Sequence, residues 1–158
     1  MARALISGTF DPVTVGHLDI IKRAAAVFDE VYAVVFNNSS KRTHFTADQR
    51  IDMLKLACAG INNVTCDTSD GLLVEYAVTH NIDVIVKGIR NASDFDNEYQ
   101  MSVINHGIDN KIETFFIPSR PEHIHVSSTV VREFMKYNVD FGDYVSESVK
   151  KYIEELVK

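Results

Sequence analysis

Short apolar runs of strand length alternate with longer segments of helical periodicity along the chain. The first run, residues 4–6, precedes a segment whose apolar residues fall on one helical face: Leu18, Ile21, Ala24, Ala25 and Phe28. The same alternation predicts further strands at 31–36, 63–68, 83–87 and 112–117. Helices are predicted from Thr46, where Thr46 and Gln49 form a T-x-x-Q capping box, and over 72–80, 94–108, 128–137 and 145–157.

The strand runs indicate a sheet that is buried on both faces. Val84, Ile85 and Val86 are continuously apolar, as a strand covered by helices on both sides requires. The pattern therefore predicts an α/β fold: a doubly wound, parallel, five-stranded sheet of Rossmann-like type with additional helices at the C-terminal end. Ligands of such sheets bind at the carboxyl ends of the strands, where the strand order reverses.

Length, charge and cysteine content narrow the class of protein. With 158 residues and 46% hydrophobic content, residues 1–158 are expected to form a single domain. A net charge of −6 disfavours binding to a nucleic-acid backbone. Cys58 and Cys66 form no C-x-x-C pair, so we expect reduced thiols, no zinc site and a cytoplasmic location. No signal peptide is apparent and the longest apolar run is too short to span a bilayer, so no membrane association is expected.

Residues suited to phosphate binding follow three of the predicted strands. The segments are SGTFDPVTVGH at 7–17, KGIRNASDF at 87–95 and PSRPEHIHVSST at 118–129. Gly8 allows a close backbone approach, and Gly16 with His17 opens a helix whose free N–H groups attract anions. Lys87 and Arg90 add two cations, and 127–129 add hydroxyls. Because the carboxyl ends of parallel strands share one edge of the sheet, these segments predict a polyphosphate site.

The motifs resemble those of a known enzyme family. GTFDPVTVGH, residues 8–17, is similar to the T-x-G-H motif of the nucleotidyltransferase superfamily. Lys41 within SSKRTHFT, the run KGIRNASDFDNEYQM and the run VSSTVVRE resemble, in the same order, the bacterial phosphopantetheine adenylyltransferase family over nearly the whole chain. The resemblance implies transfer of the adenylyl group of ATP to 4′-phosphopantetheine, giving dephospho-coenzyme A and pyrophosphate. It also implies a homohexamer and feedback inhibition by coenzyme A.

The same resemblance implies roles for individual residues. Thr9, His17, Lys41 and Arg90 would be catalytic, with Thr9 orienting the reacting phosphates. Lys41 and Lys87 would hold the phosphate of phosphopantetheine together with Thr9, and Leu73 would line the pantetheine channel. Glu98 would bind ribose hydroxyls. The implied ATP-binding residues are Thr9, Phe10, His17, Gly88, Ile89, Arg90, Glu98, His123, Ile124, His125, Val126, Ser127, Ser128 and Thr129.

The implied chemistry needs few catalytic groups. The acceptor is a phosphate monoester whose second pKa is about 6, so it is ionised at neutral pH without a general base. Alignment of two phosphates and stabilisation of charge at the α-phosphate then suffice, and His17 is expected to donate a hydrogen bond to that charge. Mg²⁺ is expected to be held mainly through ATP phosphates, with no protein ligand.

Each implied residue also has a plainer interpretation. Lys41 could belong to a solvated loop, Leu73 to the core, Glu98 to the surface, and Ser127 could be only a helix cap. A lone histidine such as His17 is more often structural. Their joint placement after predicted strands favours the functional interpretation.

The sequence departs from the family pattern at a few positions. Ser7 stands where the family often has proline, and Val15 replaces the usual asparagine of the motif. Lys87 replaces an arginine, and an ammonium cannot reproduce the bidentate grip of a guanidinium on phosphate. Residues 123–126 replace an aromatic-rich stretch.

Two other functions compete with this interpretation. An adenylyltransferase acting on nicotinamide or nicotinate mononucleotide would share GTFDP and SSTVVR, although the run from KGIR to NEYQM is not typical of that family. A nucleotide-binding regulatory module without activity could also use the same fold.

Overall fold

A computed structural model describes residues 1–37 and 40–158. Its central sheet has five strands, all parallel, in the order β3-β2-β1-β4-β5. The strands are β1 Arg3–Gly8, β2 Glu30–Phe36, β3 Val64–Ser69, β4 Val84–Ile89 and β5 Glu113–Pro118. The doubly wound α/β sheet predicted from the apolar runs is confirmed. The strand order reverses between β1 and β4, which are neighbours in the sheet.

Six α-helices connect and cover the strands within the described residues. They are α1 Val15–Ala25, α2 Ala47–Cys58, α3 Leu73–Thr79, α4 Ala92–Ile108, α5 Ser128–Lys136 and α6 Glu147–Val157. The Thr46 and Gln49 capping box is present, with both reciprocal hydrogen bonds. Two predicted helix starts were misplaced by about two residues, because side chains that cap the true starts were not identified: Asn91 accepts from the N–H of Asp94, and Ser146 accepts from the N–H of Val149.

The sheet is buried on both faces, as the continuous apolar runs predict. In β1, Ala4 and Ile6 belong to one core cluster while Leu5 belongs to the other. In β4, Val84 and Val86 likewise belong to the first cluster and Ile85 to the second. This alternation is what a pleated strand between two helical layers produces, because successive side chains point to opposite faces.

Helix α4 packs differently from the other helices. Of its residues only Asn105 is buried, and its apolar side chains are largely exposed. The exposed residues are Phe95, Tyr99, Met101, Val103, Ile104 and Ile108. The helix was predicted from its position in the alternating pattern, but nothing in the pattern indicated that so many apolar residues would remain uncovered. None of the described helices is long and apolar enough to cross a membrane.

Candidate active site

A cavity of about 570 Å³ lies at the carboxyl ends of β1 and β4. Its walls come from the loop after β1, the start of α1, the exit of β4, helix α4 and the segment that leads into α5. The cavity therefore occupies the point where the strand order reverses, which is the position where parallel α/β sheets bind ligands.

Two glycines let the backbone approach closely at this edge. A Cβ at Gly8 would lie 3.2 Å from the ring of Phe10, and a Cβ at Gly88 would lie 3.0 Å from Cγ1 of Ile20. Phe10 itself has a positive φ of 49°. A side chain at either glycine would therefore crowd Phe10 or Ile20.

The hydrogen bonds of His17 select one tautomer of its imidazole ring. Thr14 caps α1: its Oγ1 accepts from the N–H of His17, and its own N–H donates to Nδ1 of His17 over 3.0 Å. A ring nitrogen that accepts a backbone N–H carries no proton, so the neutral ring is protonated at Nε2. Nε2–H is consequently the donor that His17 retains for a ligand.

His17 stays neutral at physiological pH. Desolvation by burial, and secondarily the positive charge of Arg90, lower the pKa of His17 to about 4. Its ring also packs edge-on against Phe10, with 5.1 Å between ring centroids. The imidazole at this cavity is therefore a rigid, uncharged hydrogen-bond donor.

A network of buried polar groups holds the β1–α1 loop in place. The Asp11 carboxylate accepts the backbone N–H groups of His44 and Phe45, each over 2.8 Å. Arg132 donates to the backbone carbonyl of Asp11 over 2.7 Å and lies 3.7 Å from its carboxylate. Asp11 thereby ties the loop to the segment 41–45, which carries Lys41.

A second tie runs through the buried side chain of Arg50 in α2. It donates to the carbonyl of Thr9 over 2.9 Å and to Oδ1 of Asn37 over 2.6 Å. Thr9 is thus positioned by its backbone, and its side chain remains available at the cavity wall. The conformation of the loop is set by contacts from α2 and α5 as well as by its own residues.

Two cations at the carboxyl end of β4, Lys87 within the strand and Arg90 directly after it, are paired with carboxylates from α4. Nζ of Lys87 lies 2.9 Å from Oγ of Ser7 and 3.5 Å from a carboxylate oxygen of Glu98. Arg90 forms an ion pair with Asp94 at 3.1 Å and reaches the carbonyl of Val126 over 3.4 Å. Lys41 is exposed and also lines the cavity.

The start of α5 closes the remaining side of the cavity. Ser127 is the N-cap and accepts from the N–H of Val130. Ser128 donates to the carbonyl of Pro12 over 2.7 Å, which joins α5 to the β1–α1 loop. The cavity is therefore bordered by two helix N-termini, those of α1 and α5, and both favour anions.

Most of the residues proposed from the sequence meet at this cavity. Those that line it are Thr9, Phe10, His17, Lys41, Lys87, Gly88, Arg90, Glu98, His123, Val126, Ser127, Ser128 and Thr129.

Four proposed residues lie outside the lining. Leu73 packs against the core cluster of Leu5 and Val34, Ile89 is partly buried at the end of β4, Ile124 is half exposed, and His125 packs edge-on against Tyr144. Their proposed contacts with substrates stay predictions.

The polar residues of the lining that were not identified as site residues from the sequence include Ser7, Asp94 and Ser119. Ser7 contacts Lys87, and Asp94 contacts Arg90. Arg90 stands four residues before Asp94, the first residue of the predicted helix, and a longer helix would have placed the two side chains next to each other. No local pattern indicates the Ser7 contact, because its partner lies in another strand.

The donors at the cavity suit phosphate better than a bare metal ion. They are ammonium, guanidinium, hydroxyl and N–H groups, and the two carboxylates of the lining, Asp94 and Glu98, are already paired with cations. No cluster of His, Cys, Asp and Glu that could hold a metal ion occurs among residues 1–37 and 40–158.

A parallel sheet with two helix N-termini and converging cations at its switch point is typical of proteins that bind nucleotides or other phosphates. The cytidylyltransferase-like family matches residues 5–134, which include every residue of the cavity lining and the whole sheet except the first two residues of β1. The chain belongs to the cytidylyltransferase-like family, and nucleotidyl transfer is its general activity.

Proposed function

We propose that this protein transfers the adenylyl group of ATP to 4′-phosphopantetheine, giving dephospho-coenzyme A and pyrophosphate. The observation that carries the proposal is the convergence of a neutral His17 donor with Lys41, Lys87 and Arg90 around one cavity. The resemblance of KGIRNASDFDNEYQM to the phosphopantetheine adenylyltransferases supports this choice of acceptor over other members of the superfamily.

In this reaction the acceptor phosphate attacks the α-phosphate in line as the bond to pyrophosphate breaks. Negative charge shifts onto oxygens at the α-phosphate, and Nε2–H of His17 donates to them. Because the His17 ring is neutral and held in one orientation, its N–H group is already in place and need not reorganise as the charge develops. Thr9 orients the phosphates from a loop whose backbone is fixed by Arg50.

The cations divide between the two substrates. Lys41 and Lys87 hold the acceptor phosphate, whereas Arg90 with the N-terminal end of α5 binds the triphosphate of ATP. Lys87 is engaged by Glu98, so an incoming phosphate competes with that carboxylate for the ammonium group. We infer that Glu98 is then released to bind a ribose hydroxyl.

The side chains of the lining that remain free are cationic or neutral, so they offer no carboxylate to a metal ion. Mg²⁺ would therefore be held at this site through the phosphate oxygens of ATP. When bound through ATP it supplies charge neutralisation at the leaving pyrophosphate. Alignment of the reactants remains the task of Thr9, Lys41 and Arg90.

We further propose a homohexamer located in the cytoplasm and inhibited by coenzyme A, as the resemblance implies. The exposed apolar residues of α4, among them Phe95, Ile104 and Ile108, support self-association, because a helix with so little buried surface gains stability when another copy covers it.

The test is pyrophosphate release with two nucleotides and two acceptors. ATP and CTP are each assayed with 4′-phosphopantetheine and with nicotinate mononucleotide. We expect release only with ATP and 4′-phosphopantetheine. Pyrophosphate release with CTP as the nucleotide, or release only when nicotinate mononucleotide is the acceptor, would refute the proposed substrates. No release in any of the four assays would support a regulatory nucleotide-binding module.

A matched pair of histidine variants tests the role of the site. His17→Ala is expected to lower kcat by about 10²-fold, the usual effect of losing one donor to the transition state. His106→Ala, on the exposed face of α4, serves as the control and should retain full activity. Equal rates for both variants would remove His17 from the mechanism.

A further inference from the structure

The carboxylate of Asp19 in α1 forms ion pairs with two arginines. Its Oδ2 lies 3.2 Å from Nη1 of Arg23, one turn along the same helix, and its Oδ1 lies 3.2 Å from Nε of Arg120, which follows β5. The side chain of Asp19 is only 15% exposed. Nη1 of Arg23 also donates to the carbonyl of Pro118 over 2.9 Å. Asp19, Arg23 and Arg120, here called the Asp19 clamp, therefore join α1 to the end of β5.

The clamp holds a segment that lines the active-site cavity. Residues 119–126 lead from β5 to the N-cap of α5, and Ser119, His123 and Val126 line the cavity. The segment contains one short 3₁₀ helix and no strand, so contacts with neighbouring elements determine its position. The carbonyl of Arg120 accepts the N–H of His123 over 2.9 Å. The clamp residue Arg120 thus also fixes the backbone of a residue in the cavity wall.

The charges of the lining indicate which part of a nucleotide meets this segment. The lysine and arginine side chains of the lining all come from other segments, whereas 119–126 contributes hydroxyl, imidazole and apolar groups. Phosphates are bound by the cations, so the nucleoside lies against 119–126. Helix α1 carries both His17 and Asp19. One helix therefore fixes the donor to the α-phosphate and, through the clamp, the wall that meets the nucleoside.

We propose that Asp19 is a positioning residue, whose two ion pairs fix the segment 119–126 against α1 and thereby set the affinity of the site for its nucleotide. The inference rests on the proposed function in taking ATP as that nucleotide. Asp19 does not line the cavity itself, so it acts through Arg120. Isolated surface ion pairs contribute little, but this carboxylate is mostly buried and binds two guanidinium groups. Removing its charge weakens both contacts at once.

Asp19→Asn tests this role in steady-state kinetics, because asparagine keeps the size of the side chain and lacks its charge. We expect KM for ATP to rise about tenfold, while kcat and KM for 4′-phosphopantetheine change by less than about threefold. Glu147→Gln is the matched control, because it removes an ion pair with Lys151 on the exposed side of α6 and should leave KM for ATP unchanged.

The exposed end of the clamp provides a second variant. The Arg120 side chain is 54% exposed, so Arg120→Gln is expected to fold even if Asp19→Asn does not. Arg120→Gln should also raise KM for ATP, and the double variant should have the KM of Asp19→Asn alone, because both changes remove the same contact. Fold-changes that multiply in the double variant, or an unchanged KM for ATP in Arg120→Gln, would overturn the proposal.

Hydrogen exchange separates this inference from the choice of substrates. The N–H of Ser119 donates to the carbonyl of Ile89 over 2.8 Å, and that of His123 donates to Arg120. In ligand-free Asp19→Asn, both amides should exchange at least about threefold faster than in the wild type, as measured by NMR, whereas amides of β3 should not change. Unchanged exchange at both amides would overturn the clamp. Faster exchange together with a wild type that does not use ATP would support the clamp and refute the proposed substrates.

Discussion

Acidification should destabilise this protein through protonation of His17. The contribution of His17 to the free energy of unfolding can be measured separately from those of the other ionisable groups. The imidazole has a pKa of about 4 in the folded chain against 6.5 in the unfolded chain. Between pH 6.5 and pH 4, His17 binds a proton in the unfolded chain but stays neutral in the folded chain. The contribution of His17 to stability is therefore complete above pH 6.5 and is lost as the pH falls toward 4.

The size of the effect follows from linkage. A difference between a pKa of 6.5 and one of about 4 corresponds to a ceiling of about 3 kcal/mol, which is reached below pH 4. At pH 5 the loss is about 2 kcal/mol. His17→Asn is the appropriate comparison, because Oδ1 of asparagine can accept the N–H of Thr14 in place of Nδ1 and does not titrate.

Urea denaturation of both proteins between pH 7 and pH 4.5 measures this difference. All other ionisable groups are the same in both proteins, so their contributions to the difference cancel. We expect the free energy of unfolding of the wild type to fall relative to that of His17→Asn by about 2 kcal/mol at pH 5. Parallel pH profiles for the two proteins, or an NMR titration that places the pKa of His17 near 6.5, would refute both the neutral ring and its assignment as an uncharged donor.

Three further substitutions test the walls of the cavity. Lys41→Ala should raise KM for 4′-phosphopantetheine while changing kcat much less, and an unchanged KM in steady-state kinetics would contradict its place at the acceptor phosphate. Asp11→Asn should cost about 1–3 kcal/mol of unfolding free energy, measured in urea, because an amide cannot accept both N–H groups and lacks the charge that faces Arg132. Gly88→Ala should cost about 1 kcal/mol, because its Cβ would lie 3.0 Å from Ile20; a urea midpoint equal to that of the wild type would show that the strand moves freely there.

The fold could be predicted because its local patterns agree with its tertiary packing. Strands that are buried on both faces must be continuously apolar, and the run 84–86 shows this directly. Element boundaries were less accurate because they depend on caps, and the Asn91 cap at the start of α4 was not identified. The exposure of α4 could not be predicted, since apolar residues alone do not reveal which surface covers them.

The site could be predicted only in its local parts. The loop after β1 combines turn residues, hydroxyls and a helix start within a few positions, so its chemistry is visible in the sequence. The contacts that hold it are long-range: the sequence Asp11-Pro12 is typical of a turn, yet the Asp11 carboxylate accepts the N–H groups of His44 and Phe45. Nothing in the sequence around Arg50 indicates its contact with Thr9, because α2 and the loop meet only in the folded chain.

Two departures from the family motifs are explained by one contact. Ser7 and Lys87 stand where the family that the sequence resembles often has proline and usually has arginine, and in the fold Oγ of Ser7 lies 2.9 Å from Nζ of Lys87. An ammonium group on a flexible stem lacks the fixed fork of a guanidinium, so it needs a neighbour to hold it in one place. A proline at position 7 would offer no hydroxyl for that purpose. The two changes therefore act as a pair, in which Ser7 orients Lys87 from the side of β1 while Glu98 balances its charge from α4. In the proposed reaction, the acceptor phosphate would take the place of that carboxylate.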